Sequence, residues 1–136
     1  MTIVFDNNIM LDALLERRPF CDNAGKLMVA CVDGHFGCLT ANSLTDIFYV
    51  LSKSIGAVKA KLAVRKLIEL FEILPVSDED CIKALDSSMD DFEDALVSVC
   101  AHKRRADYIV SRDVKFIGAD GPVPVIEPGE LLKMLG

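Results

Sequence analysis

The chain has 136 residues, 51% of them hydrophobic and 26% charged, with 15 Lys and Arg against 21 Asp and Glu and a net charge of -6. This balance excludes a disordered or low-complexity segment and a protein that coats nucleic acid by bulk positive charge. It supplies enough apolar material for a core, read here as one domain over residues 1–136.

The apolar pattern alternates between short runs and longer stretches of helical period, the mark of an α/β fold with a mainly parallel central sheet flanked by helices. Thr2 to Phe5 reads as a buried strand ending at Asp6, and Ile9 to Leu15 as a helix stopped by Arg17, Arg18 and Pro19. Asp22 to Cys31 is a second helix, and Gly34 and Gly37 flank a turn into a strand from Phe36 to Thr40. Asn42 or Ser43 caps the next helix, on which Leu44, Ile47, Phe48 and Leu51 share a face, and Gly56 ends it. Ala57 to Phe71 forms another amphipathic helix, followed by a strand from Ile73 to Val76 and a short helix from Asp78 to Leu85. Asp90 or Asp91 caps a helix running to about Arg105. Tyr108 to Val110 is a strand, Ser111 to Gly121 a loop, Val123 to Ile126 a strand and Pro128 to Leu135 a closing helix. The expected order is βααβααβααββα.

The five cysteines are odd in number and contain no Cys-x-x-Cys pair, which fits a reducing compartment. The opening MTIVFDNNIM lacks the basic start of a secretory leader, so the expected location is cytoplasmic. Cys31, His35 and Cys38 have neither the spacing nor the fourth ligand of a zinc site.

In open α/β sheets the working site lies beyond the carboxyl ends of the strands. Asp6 ends the first strand, Asp113 closely follows the Tyr108 to Val110 strand, and Asp46 and Asp94 are expected in the first turns of helices, so all four acids can gather on one edge. Gathered carboxylates repel one another unless protons or cations neutralise them, and oxygen ligands without Cys or His select Mg²⁺ or Mn²⁺.

VFDNNIMLDALLERRPF resembles the opening of a PIN domain, its acid and Asn matched by Asp6 and Asn8. SLTDIFYVLSK, DFEDALVSVCAHKRRADYIVSRD and PVPVIEPGELL resemble the later blocks of the branch that includes VapC-like toxins, in the right order along nearly the whole chain. The resemblance implies a metal-dependent endoribonuclease on a Rossmann-like parallel sheet, the toxin of a toxin–antitoxin pair, and a homodimer. It puts catalysis on Asp6, Asp46, Asp94 and Asp113, with Asp6, Asp94 and Asp113 holding Mg²⁺ or Mn²⁺ and Asp46 acting directly or through water. Asn8, Asp91 and Ser111 are expected to support these acids by hydrogen bonds. Arg17, Arg18, Arg112 and Lys115, nearest the rim, are the expected contacts to RNA phosphates. Two departures from the family pattern stand out: Asp46 replaces a common Glu, and Lys115-Phe116 stands where an Asp-Phe pair is usual.

Each acid also has a structural reading. Asp6 suits a turn, Asp46 follows Ser43 at capping-box spacing, and Asp91 and Asp94 are spaced as cap and third residue. If all served as caps, the chain would be a catalytically inactive PIN-like RNA- or protein-binding module. A receiver-like phosphoacceptor expects paired acids after the first strand, where this chain has Asn7 and Asn8. The apolar surplus Leu62, Leu67, Ile68 and Phe71, with Phe48 and Leu51, is expected to include a surface for a second subunit or an antitoxin.

Overall fold

The computed structural model describes residues 1–136. Its elements are β1 (Thr2–Phe5), α1 (Asn7–Leu14), α2 (Cys21–Val32), β2 (Phe36–Thr40), α3 (Ala41–Ile55), α4 (Ala57–Leu70), β3 (Glu72–Leu74), α5 (Asp78–Asp86), α6 (Phe92–Arg104), β4 (Tyr108–Val110), α7 (Val114–Ile117), β5 (Val125–Ile126) and α8 (Pro128–Leu135). The five strands are all parallel, in the order β3-β2-β1-β4-β5.

Side chains alternate across the pleat, so β1 feeds two cores. Ile3 and Phe5 join the larger one, with residues of α1 to α4 and Leu131 of α8. Val4 faces the other way, toward Val97, Cys100 and Ala101 of α6 and Phe116 of α7. A sheet covered on both faces requires near-continuous apolar strands, and β1 has them: Ile3, Val4 and Phe5 are fully buried. Gly37 in β2 is a close-approach position, because a Cβ there would lie 2.5 Å from the Phe71 ring. That ring in turn packs against Phe5 at 5.6 Å between centroids.

Several boundaries differ from the sequence reading. α1 starts at Asn7, two residues earlier, because the Asp6 carboxylate accepts the Asn7 N–H and makes Asp6 the N-cap. α3 starts at Ala41 with Thr40 in the cap position, and neither Asn42 nor Ser43 caps it; the Ser43 and Thr40 hydroxyls pair at 2.7 Å instead. β3 lies at Glu72–Leu74, since Pro75 lacks the N–H that would extend the ladder. The loop after β4 contains the one-turn helix α7, capped by Asp113.

The apolar surplus divides: Leu67, Phe71 and Leu51 belong to the core, whereas Leu62 and Ile68 are exposed together with Ile55 and Val58. No helix is long and apolar enough to cross a membrane.

Candidate active site

The winding of the sheet selects one crevice. From β1 the chain adds β2 and then β3 on one side, and α5 and α6 carry it back across to place β4 on the other side of β1. The β1/β4 boundary is therefore the topological switch point, where connections diverge and leave a cleft beyond the strand ends. Asp6 and Ser111 are the residues immediately after these two strands. The Asp6 N–H donates to the Val110 carbonyl at 3.0 Å, and the Ser111 hydroxyl donates to the Asp6 carboxylate at 2.8 Å.

Asp6, Asn7, Asn8, Asp46, Asp91, Glu93, Asp94 and Asp113 line a cleft of about 310 Å³ here. A larger hollow of about 670 Å³ continues from it along Asp91, Asp94 and Asp113 to Lys115. Local structure explains how each acid arrives. Asp91 caps α6 by accepting the Asp94 N–H, which leaves the Asp94 carboxylate, two residues into the helix, unspent on capping. Asp113 caps α7 by accepting the Lys115 N–H, while its own N–H donates to Ser111 Oγ. Asp46 lies in the second turn of α3 rather than the first, so the capping-box reading with Ser43 does not hold. Its partner is Asn7, whose side-chain amide donates to Asp46 at 3.2 Å and to Glu93 at 2.8 Å.

The structure thus brings the four expected acids, Asn8 and Asp91 to one cleft, with Ser111 bonded to Asp6 behind it. It adds Asn7 and Glu93, which the sequence reading did not single out. The expected basic residues divide. Arg18 and Lys115 are exposed, and Arg17 reaches toward Asn8 and Asp12. Arg112 is half-buried, its guanidinium forked onto the buried Asp12, so the structure gives it an internal ion-pair partner.

None of the six ion pairs in the molecule includes a cleft acid. The carboxylates therefore act on one another without neutralisation. Burial, then Asp91, Asp6 and Asp113, push the Asp94 carboxyl up to about 7. Burial and then Asp46 push Glu93 up to about 7 as well. Asp6 is also raised, chiefly by burial, with the Ser111 and Asn7 hydrogen bonds pulling the other way.

The donor set is all oxygen, and Asn7 Oδ1 is buried without a partner. Such residues fit a hard divalent cation. No three acids meet as a ready-made ligand set, so gathering them on one ion takes side-chain rotation.

The PIN-domain profile matches residues 2–115 of the chain. Ribonuclease VapC1 of Aquifex aeolicus (strain VF5) is 30% identical over 124 residues, which span 87% of this chain and 85% of that protein. Among solved structures, VapC20 of Mycobacterium tuberculosis, described as a sarcin-ricin loop cleaving toxin, is similar with a TM-score of 0.72 at 15% identity, over 88% of this chain and 95% of that one. VapBC2 of Rickettsia felis, solved bound to a DNA fragment from its promoter, gives 0.70 at 15% identity over 93% and 98%. At such identities these structures establish a common fold.

Proposed function

Because the chain belongs to the PIN-domain family, we propose that it is a metal-dependent endoribonuclease acting at the β1/β4 crevice, and the toxin of a toxin–antitoxin pair. The observation that carries the reading is the cleft of unpaired carboxylates at the switch point of the sheet. The similarity to a ribonuclease at 30% identity supports the chemistry, and the fold shared with a solved toxin supports the toxin reading. The inactive-module alternative explains Asp6, Asp91 and Asp113 as caps, but it gives no reason for Asp46, Glu93 and Asp94 to crowd the same cleft without a cationic partner.

Asp6, Asp94 and Asp113 are the residues that would hold Mg²⁺ or Mn²⁺, with Asp46 direct or through water. When bound, the ion supplies a water activated for attack on phosphorus and charge to offset the leaving 3′ oxygen. The chain's own groups prepare the site. The Ser111 hydroxyl and the Asn7 N–H each occupy one oxygen of Asp6 and fix the plane of its carboxylate. The Asn7 amide bridges Asp46 and Glu93, holding two like charges side by side. Asp91 orients the start of α6 and with it Asp94. Arg17, Arg18 and Lys115 are the basic residues this reading assigns to RNA phosphates; Arg17 donates to the cleft residue Asn8 at 3.5 Å and Lys115 lines the adjoining hollow. Aromatics suited to base stacking are few, with no Trp and two Tyr, so this reading puts most of the recognition on RNA shape and backbone.

The partners follow from the same reading: a second copy of the chain and an antitoxin covering exposed apolar side chains such as Val58 and Leu62, one helical turn apart on α4. The expected setting is cytoplasmic. The test is product chemistry. Activated water leaves 5′-phosphate and 3′-hydroxyl ends, scored by ligation and phosphatase sensitivity, and EDTA stops cleavage. Cyclic phosphate ends would instead identify attack by the ribose 2′-hydroxyl and overturn the mechanism.

A further inference from the structure

Asp12 on α1 has no exposed side-chain surface, yet it carries a carboxylate. A buried charge persists when it is paired with good geometry. Here Arg112 Nε donates to Oδ2 at 2.7 Å and Nη2 to Oδ1 at 3.1 Å, while Arg17 stands 3.6 Å from Oδ1. The Arg112 guanidinium also lies over the Phe20 ring, 4.1 Å from its centroid. The arginine is therefore held both by its fork and by its flat face.

Its chain neighbours lie on the other side. Ser111 Oγ donates to Asp6, the Asp113 N–H donates to that same hydroxyl and Asp113 lines the cleft, so residues 111 and 113 lie on the Asp6 side while the side chain between them reaches α1. In an extended segment, successive side chains point in opposite directions, so fixing the middle one fixes the register of both others.

We propose that the Asp12–Arg112 ion pair is a positioning device that holds the Ser111–Asp113 segment against Asp6, so that Arg112 serves the reaction from behind the site rather than by touching RNA. This rests on the assignment of Asp6 and Asp113 to the active site. The pair is neutral as a unit, so it anchors the segment without adding net charge beside the acids. A misplacement of about 1 Å in a catalytic group can cost roughly a hundredfold in rate, which gives such an anchor its value.

The test uses Arg112→Gln, in which Arg17 remains beside Asp12, and an Asp12→Leu/Arg112→Met double variant, which removes the buried charge altogether. Thermal melts first identify which of the two is folded, and the folded variant is followed by amide hydrogen exchange and by steady-state cleavage of an RNA oligonucleotide. The expected result is faster exchange at the Asp113 and Lys115 amides, by roughly tenfold or more, with the β1 and β2 amides unchanged and with kcat lowered at least tenfold at nearly constant KM. Unchanged exchange at residues 113 and 115 would overturn the proposal, as would a raised KM at constant kcat, the signature of a direct RNA contact. The exchange measurement stands even if the wild-type protein fails to cleave RNA. That failure would strike the ribonuclease reading, and the exchange result would still decide whether the ion pair positions the segment.

Discussion

Asn7 turns two acids from separate helices into neighbours. Its amide hydrogens face Asp46 from α3 and Glu93 from α6, and the sequence carries no local signal for this because the partners lie 39 and 86 positions away. Glu93 reads in the chain as an ordinary first-turn acid favoured by the helix dipole, and only the fold turns it toward the cleft. Asp6 and Asp113, by contrast, are legible because a strand end is itself a sequence feature. Glu93→Gln is expected to lower the cleavage rate by roughly tenfold or more while raising stability in the absence of metal, because one member of a repelling pair loses its charge. The pH dependence follows from the same crowding. Burial and neighbouring carboxylates push the Asp94 and Glu93 carboxyls up to about 7 in the folded chain, against about 4 when unfolded. Between those values the native state binds the extra protons, so stability falls as pH rises through this window. Melting temperatures of the metal-free protein are expected to be higher at about pH 5 than at about pH 8, with a smaller difference in Asp94→Asn. An equal difference in both proteins would place the responsible groups elsewhere.

Elements with a strong local signal survive contact with the structure. β1, β2 and β4 are short apolar runs beside turn residues, and their bounds are as read, because a strand buried on both faces leaves little freedom in where polarity resumes. α7 was not legible: Val114–Ile117 is a single turn, too short to display a helical period. β3 slid toward Glu72 for a reason that Pro75 announces only once the neighbouring ladder is known. Two packing features give stability predictions at this scale. Gly37→Ala pushes a methyl group into the Phe71 ring against the sheet and is expected to cost about 1–3 kcal/mol in chemical denaturation. On the opposite face, Asp80 completes a capping box with Ser77 and receives Lys103 Nζ at 2.6 Å, joining α5 to α6. These bonds hold its carboxyl below the usual range, Lys103 foremost. Asp80→Ala is expected to destabilise by about 1–2 kcal/mol, a value bounded by the solvent exposure of Lys103. Because the folded carboxyl is depressed, this contribution is present at neutral pH and is lost as pH falls through its native value.

At the scale of the whole molecule, the sheet supplies the place where the acids collect. Helices on both faces bury the strands, the reversal of winding opens the cleft between β1 and β4, and the acids of α3, α6 and the two strand ends meet there. The net charge of -6 suits the proposal of a cleft that binds cations, and it works against non-specific binding of nucleic acid by bulk charge. The exposed apolar side chains of α3 and α4, Ile55, Val58 and Leu62, extend the account to assembly. Light scattering is expected to report a dimer at micromolar concentration, and a monomer would remove the second copy from the account. On the proposed function, the cleft acids act through a divalent cation to cut RNA. The most direct measurement is cleavage of an RNA oligonucleotide by wild type and by Asp94→Asn, each with Mg²⁺ or Mn²⁺ and with EDTA, alongside circular dichroism to establish that the variant is folded. Cleavage by wild type only with added metal, and its loss in a folded Asp94→Asn, is the result predicted; cleavage at the wild-type rate by the variant, or undiminished in EDTA, would contradict the account.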